Sequence, residues 1–166
     1  MAAECCLDGP EKSGPDSQQS KLEYERVYTM RITTTHDFSS QDISDIFVGA
    51  IEGNDMTRQW CNGIYRVDNP ERELPKKGFV WYGQKEFFEN PEWLVKIVYD
   101  DPNGEEGNAS AALLVGEEEF RKGLQIVADK YESHFHDLIS DDGGNADAYT
   151  YDAVLQCTVL GDIIYG

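Results

Sequence analysis

Residues 148–160 most constrain what this chain can fold into. The run Ala148-Tyr149-Thr150-Tyr151-Asp152-Ala153-Val154-Leu155-Gln156-Cys157-Thr158-Val159-Leu160 reads as a helix that is apolar nearly all round, and such a helix belongs in an interior. A chain of 166 residues is long enough to enclose it in one domain, or one domain with a tail. The 40% hydrophobic and 11% aromatic content supplies material for that core and argues against full disorder.

The rest of the chain divides by pattern. Residues 1–23 are rich in Gly, Pro, Ser, Gln and Asp, with Leu7 and Leu22 almost their only large aliphatics, a composition that does not repay the entropy of ordering. A disordered leader is expected there, followed by a single domain over 24–166. Tyr24 to Thr35 is β-prone, with Val27, Tyr28, Met30 and Ile32 among threonines. Ser39 and Ser40 are natural N-caps and Asp42 suits the first turn. Ile43, Ile46, Phe47, Ala50 and Ile51 then mark one helical face, closing at Gly53 with an expected left-handed cap.

The signal weakens beyond Asn54. Trp60, Cys61, Ile64 and Tyr65 suggest a short helix, Pro70 and Pro75 a loop, and 78–83 a short aromatic strand or turn. Trp93 to Tyr99 predicts a strand, Asp100-Asp101-Pro102-Asn103-Gly104 a turn, and Ala111 to Val115 the second strand of a hairpin. Glu117-Glu118-Glu119 opens the longest predicted helix, with Phe120, Leu124, Val127, Tyr131, Phe135 (or His134) and Leu138 on its apolar face. Asp141-Asp142-Gly143-Gly144 ends it, and Asp147 is placed to cap the final helix. Without regular βαβ alternation, this order implies an α+β fold in which a small, mainly antiparallel sheet is packed by about three helices.

Charge excludes several partners. With 32 Asp and Glu against 14 Lys and Arg the formal charge is −18. Direct binding to nucleic acid through a basic surface is excluded in practice, because phosphate contacts draw affinity from Lys and Arg. An anionic membrane surface repels the chain for the same reason. No apolar run reaches the roughly 18 residues that a membrane span requires. The N-terminus lacks the basic and apolar regions of a secretory signal. Cys5 and Cys6 are adjacent in a polar tail, and Cys61 and Cys157 sit in apolar surroundings, so no disulfide framework is implied. These features predict a soluble, reduced, cytoplasmic protein.

Motifs for catalysis or metal binding are lacking. No GxSxG, HExxH, CxxC or Walker A pattern occurs. His134 and His136 stand two apart and do not share a helical face; Glu132 with His136 does, but two ligands make no structural zinc site. The acidic turns at 100–106 and 141–147 lack the alternating oxygen ligands and closing Glu of an EF-hand. A non-enzymatic protein without metal or cofactor is therefore expected.

The acidity is concentrated. Residues 97–166 hold 15 acidic and 3 basic side chains, a net of −12, whereas residues 1–96 hold 17 and 11, a net of −6. Duplex DNA carries one charge per roughly 1.7 Å of axis, so the whole charge corresponds to about 30 Å of duplex. A domain of this size is about 40 Å across. Mimicry of a nucleic-acid backbone is thus compatible with the charge density, and so is an acidic surface that only maintains solubility.

Three stretches carry a family resemblance. Asp42-Ile43-Ser44-Asp45-Ile46-Phe47-Val48-Gly49-Ala50-Ile51-Glu52-Gly53, with Trp60-Cys61 beyond it, resembles the "ALEGG" helix and Tyr-Trp-Cys element of a family of small, functionally uncharacterised acidic bacteriophage and prophage proteins. Phe120, Gly123 and Leu124 fit its "F-x-x-G-L" helix. Residues 147–166 are similar to its ending, of the type "D-A-x-x-x-D-x-I-x-Q-x-x-L-F-G-E-I-V-Y-G", with Leu160 in place of the usual Phe. Asn54 stands where a second glycine is usual. The resemblance spans about residues 28–166 and implies a phage-type context without a reaction or cofactor. Small acidic phage proteins often occupy sites on host enzymes, some as DNA mimics.

Together these readings predict an acidic accessory protein that binds a basic host protein surface, most simply the nucleic-acid-binding site of a defence or DNA-processing enzyme. The partner-binding residues expected are Asp100, Asp101, Glu105, Glu106, Glu117, Glu118, Glu119, Asp141 and Asp142, with Trp60, Trp81 and Trp93 as aromatic contacts. The alternatives are a pocket for a nucleotide or other metabolite around those three tryptophans, or an assembly protein whose acidity serves solubility.

Overall fold

Helix α1, Ser40–Glu52, starts where its capping residues dictate. Ser39 is extended; its Oγ accepts the Asp42 N–H at 3.2 Å while the Asp42 carboxylate accepts the Ser39 N–H at 2.7 Å, a reciprocal box that satisfies two helix-end donors. Ile46, Phe47 and Ala50 form the buried stripe that the periodicity predicts. Gly53 ends α1 in right-handed helical geometry (φ −73°), not in the left-handed cap expected. Its lack of a side chain serves a different need, since a Cβ there would lie 2.6 Å from the Ala148 Cβ.

The computed structural model describes residues 35–53, 55–67, 74, 75, 78–104, 109–140 and 146–166, and residues 36–166 form one compact unit. The leader expected at 1–23, most of the strand expected at 24–35 and the helix stop at 141–144 lie outside the described residues.

The fold is α+β. Strands β1 (Cys61–Arg66), β2 (Val95–Asp101) and β3 (Ala109–Val115) form an antiparallel sheet in that order. Val95, Ile97 and Val115 are fully buried on its inner face, while Tyr65, Lys96 and Leu114 share a cross-strand row on the outer face. β1 corrects the short helix expected around Trp60. The spacing of Trp60, Cys61, Ile64 and Tyr65 imitates a helical face, but Trp60 precedes the strand, Ile64 pairs with Ile97, and Tyr65 points to solvent. The segment 78–83 is a turn ending in a short 3-10 stretch, Trp81–Gly83, and leads into the one-turn helix α2 (Lys85–Phe88).

The long helix predicted from Glu117 is two helices, α3 (Glu117–Lys130) and α4 (Glu132–Ile139), with Tyr131 between them at φ −126°, ψ 62°. The apolar periodicity runs through this break because the cause is tertiary. The Tyr131 hydroxyl donates to the Asp162 carboxylate and Lys130 pairs with the same group at 3.1 Å, tying the break to the segment after the last helix.

Helix α5, Ala148–Leu160, occupies the interior as its composition requires. Asp147 caps it by accepting the Thr150 N–H at 2.9 Å, and Gly161 ends it at φ +77°. Its neighbours approach over glycines. A Cβ on Gly49 of α1 would stand 2.0 Å from the Tyr151 ring, and one on Gly123 of α3 would stand 2.0 Å from Thr158 Oγ1 and 2.7 Å from its Cα. Above this layer Phe47 stacks on Phe88 and Phe120 at 5.2 and 5.6 Å, with Trp93 set edgewise to all three.

Helix α5 also buries polar groups, and they are paired. Asp152 accepts from Thr57 Oγ1 at 2.6 Å, Trp60 Nε1 at 3.0 Å and Gln156 Nε2 at 2.6 Å. Gln156 in turn accepts the backbone N–H groups of Ile164 and Tyr165, each at 2.8 Å, and donates to the Tyr165 carbonyl at 2.7 Å. This network joins α5 to the segment before β1 and to the last residues of the chain.

Candidate functional site

The candidate acidic residues begin at the N-terminus of α3. Glu117 and Glu118 are exposed; Glu119 turns back, and its Oε2 accepts the Gly116 N–H at 3.2 Å. Glu118 forms a 2.7 Å ion pair with Lys122, one turn on. The hydrogen bond from Lys122, and then its charge, hold the Glu118 carboxyl below its ordinary range. All three carboxylates also suit the positive end of the helix dipole.

A second group lies at the far end of the sheet. Asp100 accepts from Asn62 Nδ2 at 2.7 Å, and Asp101 accepts the Asn103 N–H at 2.8 Å while its carbonyl accepts the Gly104 N–H at 3.1 Å. Asp100 and Asp101 therefore belong to β2, with the turn beginning at Pro102, two residues later than the sequence suggests. Asp101 pairs with Ala109, and Glu117 follows Val115, so the two groups are separated by the length of β3, about 20 Å. Glu105, Glu106, Asp141 and Asp142 lie outside the described residues.

A third acidic group comes from residues whose pattern reads only as helix starts. Asp42, Asp45 and Gly49 share one face of α1, and Gly49 receives the ring of Tyr151 from α5. Asp147 belongs to the same neighbourhood through its cap on α5. Burial first, and then the charges of Asp45, Asp147 and Asp42, raise the Tyr151 hydroxyl above its ordinary range. The spacing of Asp42, Asp45 and Gly49 was the available signal for this group, although only the packing of α1 on α5 brings Asp147 to it.

The tryptophans take a different role from the one expected. Trp60 and Trp93 are core residues, and Trp60 spends its indole N–H on Asp152. Trp81 is half-buried and packs edgewise on Tyr82 and Phe87 at 5.3 and 4.9 Å. Trp60 and Trp81 lie outside the cleft that Trp93 borders. This open cleft of about 440 Å³ runs past Phe38, Ile43, Trp93 and Phe120, with Glu117 and Arg121 at its margin. The exposed aromatic of this region is Phe79, 70% accessible.

The histidines and thiols among the described residues have structural surroundings. No group of three or more His, Cys, Asp or Glu is placed to hold a metal ion. His134 bonds Thr150 Oγ1 at 3.0 Å through Nδ1. Burial pushes the thiols of Cys61 and Cys157 up to about 11, which keeps both protonated and weakly nucleophilic at neutral pH. No described helix is long and apolar enough to cross a membrane.

Comparison with known proteins yields no counterpart: no family model, no curated protein and no solved structure matches this chain. Several residues of the sequence motifs have structural roles. Asp147 caps α5, Asp152 and Gln156 form its buried network, Gly161 ends it, and Gly123 admits it against α3.

Proposed function

We propose that this protein acts by binding, as a cytoplasmic acidic accessory protein of phage or prophage type that occupies a basic surface on another protein. One observation carries the reading: Asp152 is the one buried acidic residue among those described, and of the others Glu86 turns a carboxylate oxygen inward, in a unit whose sequence holds 26 acidic and 10 basic side chains. A surface with so few cations presents a negative potential that steers a basic partner into contact. The nucleic-acid-binding site of a host defence or DNA-processing enzyme fits best, because such a site is built to receive closely spaced negative charge.

Competition supplies the test. The purified protein is immobilised, basic DNA-binding proteins from a host lysate are captured, and duplex DNA is added at graded salt. Displacement by DNA, with capture falling steeply as salt rises, is the expected result. Capture insensitive to both salt and DNA would exclude an electrostatic site shared with nucleic acid.

A further inference from the structure

The two edges of the sheet are finished differently. Asp100 donates its N–H to the Trp60 carbonyl, and the Leu94 carbonyl accepts from Val67. The even-numbered residues of β2 therefore face β1 and the odd-numbered ones face β3. In the β2–β3 register, Ala109, Ala111, Leu113 and Val115 bond inward to β2, which leaves the N–H and C=O groups of Ser110, Ala112 and Leu114 directed outward. All three residues are exposed, Leu114 by 51%, and among the described residues no backbone hydrogen bond reaches this edge.

Protein edges of this kind are ordinarily guarded by a lysine, a proline, a bulge or a covering element. β1 has such protection: a bulge interrupts its register between Cys61 and Gly63, and it carries Arg66. Among the described residues β3, Ala109-Ser110-Ala111-Ala112-Leu113-Leu114-Val115, has none. It contains no charge and no proline, and its register with β2 is continuous over seven pairs.

We propose that the outward edge of β3, unpaired among the described residues, is a strand-addition site for an extended segment of a protein partner, in which a short uncharged run is flanked at both ends by Lys or Arg. The proposal rests on the reading of this chain as a binder of basic surfaces and gives that binding a place. The strand itself is uncharged, with Lys96 beside Leu114 on the neighbouring strand; acidic groups stand at each end, Asp100 and Asp101 beside its start and Glu117 and the Lys122-paired Glu118 beyond its finish. The span of about 20 Å between them matches a strand of six or so residue steps, which sets the spacing of the two basic flanks. Main-chain hydrogen bonds supply affinity and the flanking charges select the sequence. A second copy fits poorly: antiparallel pairing of β3 with itself about Ala112 places the Asp100–Asp101 end of each chain beside the Glu117–Glu118 end of the other, like charge against like.

The full chain and synthetic peptides test this. The probe is a peptide with two lysines at each end of a Val-Thr-Val-Thr-Val centre, and the readout is hydrogen exchange at the amides of Ser110, Ala112 and Leu114. The lysine peptide is expected to slow these three amides by about tenfold or more. A glutamate-flanked peptide, and a lysine peptide N-methylated at alternate centre residues, should do neither this nor bind. Ala112→Pro removes the central outward N–H without touching a bond to β2, and should abolish peptide binding; the N-methylated peptide makes the same test on the unaltered protein.

Binding of the lysine peptide without slowing at β3, or binding that survives N-methylation, would overturn strand addition while leaving the basic-surface reading intact. Equal slowing by the glutamate peptide would overturn the selection by charge. No slowing with any peptide would overturn the site. Amides that slow with protein concentration alone would assign the edge to a second copy instead. Failure of the basic-surface reading itself registers separately, as capture indifferent to DNA and salt.

Discussion

Helix α5 and strand β3 are both poor in charge, yet the molecule uses them in opposite ways. α5 is enclosed on nearly every side, its neighbours approach over Gly49 and Gly123, and its buried polar atoms are paired. Among the described residues β3 is paired along one edge only, and Ser110, Ala112 and Leu114 on the other are exposed. The residues with a recognisable sequence signature cluster on α5 and its contacts, where they build the interior. The open edge of β3 carries no such signature.

That contrast makes stability respond very differently to changes in the two places. Asp152→Ala should cost the most, about 3 kcal/mol or more, because it strands buried donors on Thr57, Trp60 and Gln156; urea unfolding measures it. Gly123→Ala should cost about 2 kcal/mol through overpacking against Thr158, outweighing the gain in helix propensity. Adding Thr158→Ala should recover only part of that loss in a double-mutant cycle, since the Thr158 Cα remains in the way.

The tie between Tyr131 and Asp162 is weaker and depends on pH. The Tyr131 hydroxyl, and then Lys130, hold the exposed Asp162 carboxyl below the ordinary aspartate range. A lowered folded value means stability that is complete above that range and lost as pH falls through it. The small difference in unfolding midpoint between the native protein and Tyr131→Phe should therefore be constant near neutrality and shrink as pH drops below about 4. The smallest effect belongs to β3. Leu114→Thr should change stability by no more than about 0.5 kcal/mol in the same urea experiment. A larger loss there would mean that the open edge is part of the structural core after all.

Local chemistry was readable where it acts locally. Ser39 and Asp42 announce α1, Asp147 and the apolar run announce α5, and the Asn103-Gly104 turn announces the hairpin, because caps and turns depend on neighbours within four residues. The break at Tyr131 was hidden, since its cause is Asp162 some thirty residues on. β1 was hidden for a related reason: its bulge and Gly63 blur the alternation, and only pairing with β2 makes it a strand. At the site, the acidic residues were visible but their division into separate groups was not, because it follows from the direction of β3 and the packing of α1 on α5. Trp60 shows the limit most plainly. A tryptophan in a polar stretch suggests a contact surface until Asp152, distant in sequence, is found accepting its indole N–H.

The reach of the Asp152 network sets an order on synthesis. Thr57 and Asp152 are 95 residues apart, and Gln156 finds its backbone partners only at Ile164 and Tyr165. While the chain is still emerging from the ribosome, α1, the sheet and α3 exist without the helix that they enclose, and their apolar faces have nothing to close upon. The interior can settle only after the residues through Tyr165 have been released, so closure of this unit waits on its last elements and does not proceed from its first.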